Sequence, residues 1–377
     1  MIGILAAAPL LVYLGAEPQP FAEAAAARGW EFAAVADALP GDPTVQKIEA
    51  AVAQHPRDPA RTYLAGRGLS TAAVFYTVSR RPDLFAAAIA AGGGVEAAIE
   101  TNRLFGAGAQ LVPILWAVPP ADQAQAAAGR ARLTAKGFDI ELAARQIGIA
   151  EALDWLAAHH SDPYPPSVDC ETGSPAFAGC YWVQIAKFDP AARNDVLPSS
   201  RVKPGPGAYL ALGGFGYGLD DPGPGILINW LPPNYVGPLK LNDRVLSVGG
   251  VHIKDARDYA AFMAGQTEER ALGVVVERGK AKLRLEARIA LAKRGEYVTA
   301  RLRADFQMDG HQLLLITRGV GALRLDLPPY WVPCAINWNG VDAGRAESAG
   351  CWSVAAGGPA EPCNQEKTPD SGAVPPK

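Results

Sequence analysis

Between Pro9 and Pro166 the chain alternates short, continuously apolar runs with alanine-rich helical stretches, and few architectures accept that pattern. The strand-like runs fall at residues 10–14, 31–36, 62–65, 86–90, 112–117 and 138–142, and the helical ones at 20–28, 44–54, 71–80, 122–135 and 150–159. A strand with no polar alternate is covered on both faces, and helices between strands supply the cover. The pattern therefore predicts an α/β fold: a doubly wound, mostly parallel sheet.

After Pro166 aromatic and β-branched residues rise, turn residues multiply, and the one helical stretch is 255–263. Residues 181–188, 297–306, 312–317, 323–327 and 335–338 read as strands, and Pro198 to Gly207 reads as a linker by composition. From Ala355 the chain is rich in Pro, Gly, Glu and Lys without apolar period, which predicts disorder. The expected division is 1–166 for the α/β domain, 167–200 with 290–354 for a small discontinuous β domain, 201–289 for a compact module inserted in it, and 355–377 for a tail.

Composition narrows the function classes. With 49% hydrophobic and 19% charged residues the chain buries a core. Lys+Arg 35 against Asp+Glu 38 leaves no basic excess to neutralise a phosphate backbone, so no nucleic-acid partner is expected. No apolar run reaches the roughly 20 residues a membrane span needs, so no transmembrane segment is expected. The apolar amino terminus lacks a basic leader and reads as the first buried strand rather than a secretion signal. Cys170, Cys180, Cys334, Cys351 and Cys363 contain no CxxC and no Cys/His cluster, so neither a metal nor a cofactor is expected. Five is odd, so at least one thiol is free, and the pairing of the others stays open.

Residues Arg61-Thr-Tyr-Leu-Ala-Gly-Arg-Gly-Leu-Ser-Thr form a strand and a glycine-dense turn leading into a helix, and Arg80-Arg-Pro-Asp-Leu-Phe-Ala-Ala follows. This resembles the α/β-hydrolase fold, particularly its esterase and prolyl-oligopeptidase-like branch, whose elbow reads G-x-S-x-G-G ahead of R-x-P-D-L-F-A-A. The resemblance covers about residues 9–166. In its frame the nucleophile position is Gly68, the histidine position is Ile149, and the His-Gly that supports the oxyanion hole reads Leu14-Gly15. Glycine cannot attack a carbonyl, and without a base no proton can be taken from a nucleophile. Two residues keep a catalytic alternative open. Ser70 lies in Gly68-Leu-Ser-Thr-Ala, though its ordinary role would be a helix cap. Asp122 aligns with the acid and could equally cap the helix it opens. His159 and His160 end a helix, where a cation suits the dipole.

A second string runs Leu210-Ala-Leu-Gly-Gly-Phe-Gly-Tyr-Gly-Leu, then Gly225-Ile-Leu-Ile-Asn-Trp, then Leu239-Lys-Leu-Asn-Asp-Arg-Val-Leu-Ser-Val-Gly-Gly. It resembles a bacterial PDZ domain over about 209–289, with Pro238-Leu239, Asn242-Asp243 and Gly249-Gly250 in place of the signature's Gly-Leu, Gly-Asp and Asn-Gly. The resemblance implies a peptide or protein ligand added as a strand, with its carboxylate held by loop N–H groups. Gly214, Phe215, Gly216, Tyr217 and Leu219 would form the loop and pocket, and Tyr259, Phe262 and Met263 would face them from the helix; ordinary core is the equal alternative for those three. Trp182, Trp331, Trp338 and Trp352 read as β-domain core, with a sugar-stacking face as the minor alternative. The leading expectation is a non-catalytic hydrolase-like protein that binds peptides, and the competing one is a serine hydrolase using Ser70. The PDZ resemblance and the cysteines lean toward the bacterial envelope.

Overall fold

In the computed structural model, which describes residues 7–218, 221–293 and 297–363, the chain divides into two compact units. The smaller is Pro204–Glu296, and the larger takes the residues on either side of it.

The larger unit begins with six parallel strands: β1 (Leu10–Leu14), β2 (Glu31–Val35), β3 (Thr62–Arg67), β4 (Ala87–Ala91), β5 (Ile114–Ala117) and β6 (Ile140–Ala143). They lie in the order β2-β1-β3-β4-β5-β6. Six helices accompany them: α1 (Gln19–Ala26), α2 (Asp42–Ala53), α3 (Thr71–Arg80), α4 (Glu96–Glu100), α5 (Gln123–Thr134) and α6 (Ile149–Ala157). Neighbouring side chains of a strand face opposite ways, and β1 shows the result. Leu10, Val12 and Leu14 enter the core that holds residues of α2, α3 and α5, whereas Leu11 and Tyr13 enter the one that holds residues of α1 and α6. The sheet is doubly wound because its inner strands have two apolar faces to cover.

Helix α3 is buried at all ten positions. A charged residue can end it only if its charge is met, and Arg80 donates to Asp42 Oδ1 at 3.1 Å. Its guanidinium also lies 5.2–5.3 Å from the ring centres of Tyr76, Phe105 and Phe177. Cation–π contact compensates the desolvated charge.

The rest of the larger unit is a pair of five-stranded sheets. One runs Val341–Ala346, Cys334–Trp338, Gln312–Arg318, Ala300–Gln307, Ser167–Thr172; the other runs Ala360–Pro362, Gly350–Ala355, Val320–Leu327, Val183–Phe188, Gly179–Cys180. Trp182, Trp331, Trp338 and Trp352 are all buried in the core they share, so none of these four offers an open face to a sugar. Disulfides join Cys170 to Cys180 and Cys351 to Cys363, and Cys334 is a buried free thiol.

Two expectations need correction here. Disorder from Ala355 is wrong for its first part: Ala360–Pro362 pairs with Trp352–Val354, and Cys363 is fastened to Cys351. The remainder, residues 364–377, lies outside the described residues. The linker read at 198–207 is also not free along its length. Ser200 and Val202 are buried, Ser200 O and Oγ accept from Gly106 N and Ala107 N, and Val202 N donates to Leu104 O.

In the smaller unit the strand order is Ala208–Leu210, Ala281–Leu291, Arg270–Arg278, Arg244–Val248, Ile226–Trp230, Gly216–Tyr217, with Val251–His252 beside Arg244–Val248. Helix α7 (Ala256–Ala264) starts at Asp255, whose carboxylate accepts from Asp258 N at 2.9 Å. Asp243 is fully buried and takes two hydrogen bonds from Arg278, at 2.8 and 2.7 Å, and one from Lys240 N. Burial alone would raise its pKa, but these donors outweigh it and hold the carboxyl below its ordinary value. A depressed folded-state pKa stabilises above the unfolded value and is lost as pH falls through the folded one. Asp243→Ala is therefore expected to destabilise the smaller unit by about 2–3 kcal/mol at neutral pH, with the difference from wild type shrinking below about pH 4. Urea titrations at pH 7 and pH 3 check this; equal differences at both would refute it.

Candidate functional site

The turn after β3 has the shape of an elbow. Gly68 stands at its apex with φ +59°, a left-handed backbone that suits glycine, and a Cβ there would meet nothing within 4 Å. Leu69 beside it is 88% exposed. The turn is tight because its supports have no side chains. A Cβ on Gly66 would lie 2.6 Å from Val74 Cγ2, and one on Gly93 would overlap the Gly68 carbonyl oxygen and sit 2.7 Å from Thr71 Oγ1. Thr71 Oγ1 donates to Ala91 O at 2.8 Å, which ties the start of α3 to the end of β4.

No attacking group projects from this apex. Ser70 is 5% exposed and precedes α3, but its hydroxyl makes no capping hydrogen bond, so the capping role expected for it is not taken up. Asp122 precedes α5 and likewise makes no cap. It is exposed and lines a cleft of about 210 Å³ with Gly93, Gly94, Glu96, Trp116 and Gln125, at the carboxyl ends of β4 and β5. Ile149 is the first residue of α6, half-buried against the cluster that contains Tyr13 and Leu153. Among the described residues no hydrogen bond joins a serine to a histidine. His159 Nδ1 instead contacts the Trp155 carbonyl at 2.9 Å, and His55 Nδ1 lies 3.4 Å from Glu31. The cleft beside the elbow thus offers two carboxylates, a glutamine amide and an indole, with no nucleophile–base pair.

In the smaller unit, Gly213 (φ +86°) opens the glycine-rich loop over the Tyr235 ring, 2.6 Å from where its Cβ would be. Tyr235 Oη donates to Leu212 O and accepts from Leu239 N, which ties the start of the loop to Leu239. Gly216–Tyr217 is an edge strand paired with Trp230 and Ile228, and a bulge lies between its two residues. Tyr217 packs edge-on against Tyr259 of α7, with 5.3 Å between ring centres, and Phe215 is 6.4 Å from Tyr217. The structure therefore brings Phe215, Gly216, Tyr217 and Tyr259 together. Tyr259 and Met263 are core residues, whereas Phe215, Tyr217 and Phe262 keep part of their surface. Leu219 lies outside the described residues. Tyr235 was not singled out in the sequence, although an aromatic close after a glycine loop is a usable signal. Trp230, opposite Gly216 and 54% exposed, also went unremarked.

No family model matches the sequence, and no curated protein matches it. Among solved structures, "Crystal Structure of a Thermostable Esterase" aligns at TM-score 0.32 and 16% identity over 42% of this chain, which spans 56% of that one. "Crystal structure of esterase PE8" aligns at TM-score 0.29 and 19% identity, over 41% of this chain and 90% of that one. The amino-terminal fold is a doubly wound, six-stranded parallel α/β sheet with a tight strand–turn–helix elbow after β3. The paired five-stranded sheets follow α6 in the chain.

Proposed function

We propose that this chain is a binding protein: an α/β-hydrolase-like scaffold without hydrolase chemistry, carrying a PDZ-like module that takes an extended peptide or protein segment. The observation that carries the first half is Gly68, a residue without a side chain at the one position where the elbow would present a nucleophile. Removing any one member of a catalytic triad costs several orders of magnitude in rate, and here nucleophile and base positions are both apolar or empty. Support for the second half is the edge strand Gly216–Tyr217 beside α7, behind a loop of glycines that lets backbone approach a ligand closely. The two disulfides suit an oxidising compartment such as a bacterial envelope.

A fluorophosphonate probe with a peptide-array capture tests both halves. The full chain is expected to remain unlabelled by the probe while capturing peptides, with capture reduced at least tenfold in Phe215→Glu. Covalent labelling that disappears in Ser70→Ala would replace this reading with a serine hydrolase. Capture unaffected by Phe215→Glu would remove the groove from it.

A further inference from the structure

The sheet of the smaller unit has a second open edge, longer than the two-residue one at the proposed peptide groove. Among the described residues, strand Ala281–Leu291 is covered on its outer side only by Ala208–Leu210, which pairs with Ile289, Ala290 and Leu291. Residues 281–287 have their inner partner, Arg270–Arg278, and among the described residues no outer one. Which backbone groups face outward follows from the two bonds flanking the covered stretch. Ala211 N donates to Arg288 O, and Ala292 N donates to Gly207 O. Along an antiparallel strand these groups alternate sides, so Lys282, Arg284 and Glu286 direct their N–H and C=O at the open edge. All three side chains are exposed, while Leu283, Leu285 and Ala287 on the other face are half-buried against the core.

We infer that residues 281–287 are a pairing edge for a second copy of this chain, joined antiparallel about a two-fold axis at Arg284. That register places Lys282 opposite Glu286 of the other copy, twice, and Leu283 opposite Leu285, twice. All three even-numbered positions then form hydrogen-bonded pairs. Among the described residues neither Lys282 nor Glu286 has an ion-pair partner within its own chain, so both are free to make the cross-copy pair. The like charges at the axis are separated because Arg284 lies back over Gly273 of its own sheet: its Nε is 2.8 Å from where a Gly273 Cβ would be. Centring one residue later would pair Arg284 with Glu286 twice, but it would also set Lys282 against Arg288, whose carbonyl Ala211 already occupies. The occupied Arg288 carbonyl, rather than charge alone, selects the register centred at Arg284. This inference does not depend on the peptide reading, which concerns the opposite edge of the sheet.

Sedimentation equilibrium of the full chain across micromolar to hundreds of micromolar concentrations tests it. The weight-average mass is expected to rise from 39.5 kDa toward twice that value. Lys282→Glu is expected to hold it at the monomer mass, and the swap Lys282→Glu/Glu286→Lys to restore the rise. Arg284→Pro, which removes the outward N–H at the axis, is expected to abolish it. Circular dichroism verifies that each variant is folded. A wild-type chain that stays monomeric throughout overturns the inference, as does a dimer indifferent to Lys282→Glu. Strengthening by Lys282→Glu would overturn the register.

Discussion

Replacing Glu171 with alanine is expected to lower the stability of the larger unit by about 3–5 kcal/mol, the cost of breaking one side of a buried charge network. The Glu171 side chain has no solvent exposure and accepts from Ser199 Oγ at 2.6 Å, Ser200 N at 2.6 Å, Ser200 Oγ at 2.7 Å, Thr299 Oγ1 at 2.5 Å and Arg318 Nη2 at 2.9 Å. Ser199 and Ser200 lead into Pro204–Glu296, and Thr299 follows it, so one carboxylate clasps the chain where it leaves for the smaller unit and where it returns. Without the carboxylate, five donors lose their acceptor, Arg318 among them. Unfolding followed by the fluorescence of the buried tryptophans measures the loss, and limited proteolysis is expected to find new cleavage between residues 196 and 207. Glu171→Gln should fall between wild type and alanine, since an amide oxygen still accepts while its NH₂ meets donors. A loss below about 1 kcal/mol for alanine, no more than an ordinary hydrogen bond contributes, would refute the clasp.

Gly93→Ala is the second large effect, expected to cost about 3 kcal/mol, at the upper end for overpacking. Its Cβ would overlap backbone, the Gly68 carbonyl, and no rotamer change relieves that. Gly68→Ala makes the contrast. Space is open there, and the left-handed φ alone is expected to cost about 1–2 kcal/mol. Thermal denaturation of the two variants decides between close packing and backbone strain as the elbow's main constraint; equal costs would reject the packing account. The close packing of this turn is what joins β3, α3 and β4.

The α/β sheet was legible because burial on both faces leaves a mark along the chain itself: Leu10–Leu14 is apolar at every position and buried at every position. The elbow was legible for a different reason: Gly66 leaves room for Val74, and Gly68 takes a left-handed backbone that suits glycine. Side-chain roles were less so. Ser70 and Asp122 are residue types that favour helix caps and stand where caps belong, yet neither makes one, because a cap depends on rotamer and φ/ψ that residue type does not specify. The Glu171 clasp was invisible, since its partners lie 28 to 147 positions away along the chain. Arg80 gave no signal either: the rings around it come from α3, the loop before β5, and the β sandwich. The short strand Ala360–Pro362 lacks any period to read, being only three residues long and held by pairing and a disulfide.

Both disulfides fall on the rims of one sheet. Cys180 belongs to its outermost strand on one side, and Cys363 directly follows its outermost strand on the other. Those rim strands are two and three residues long, too short to adhere through backbone bonds alone. In a thiol-rich medium they would peel away and bare Val183–Phe188 and Gly350–Ala355 as fresh, unguarded margins, while the tryptophan-filled interior stayed closed. The width of this sheet is thus set by the redox character of its surroundings as much as by the residues that compose it.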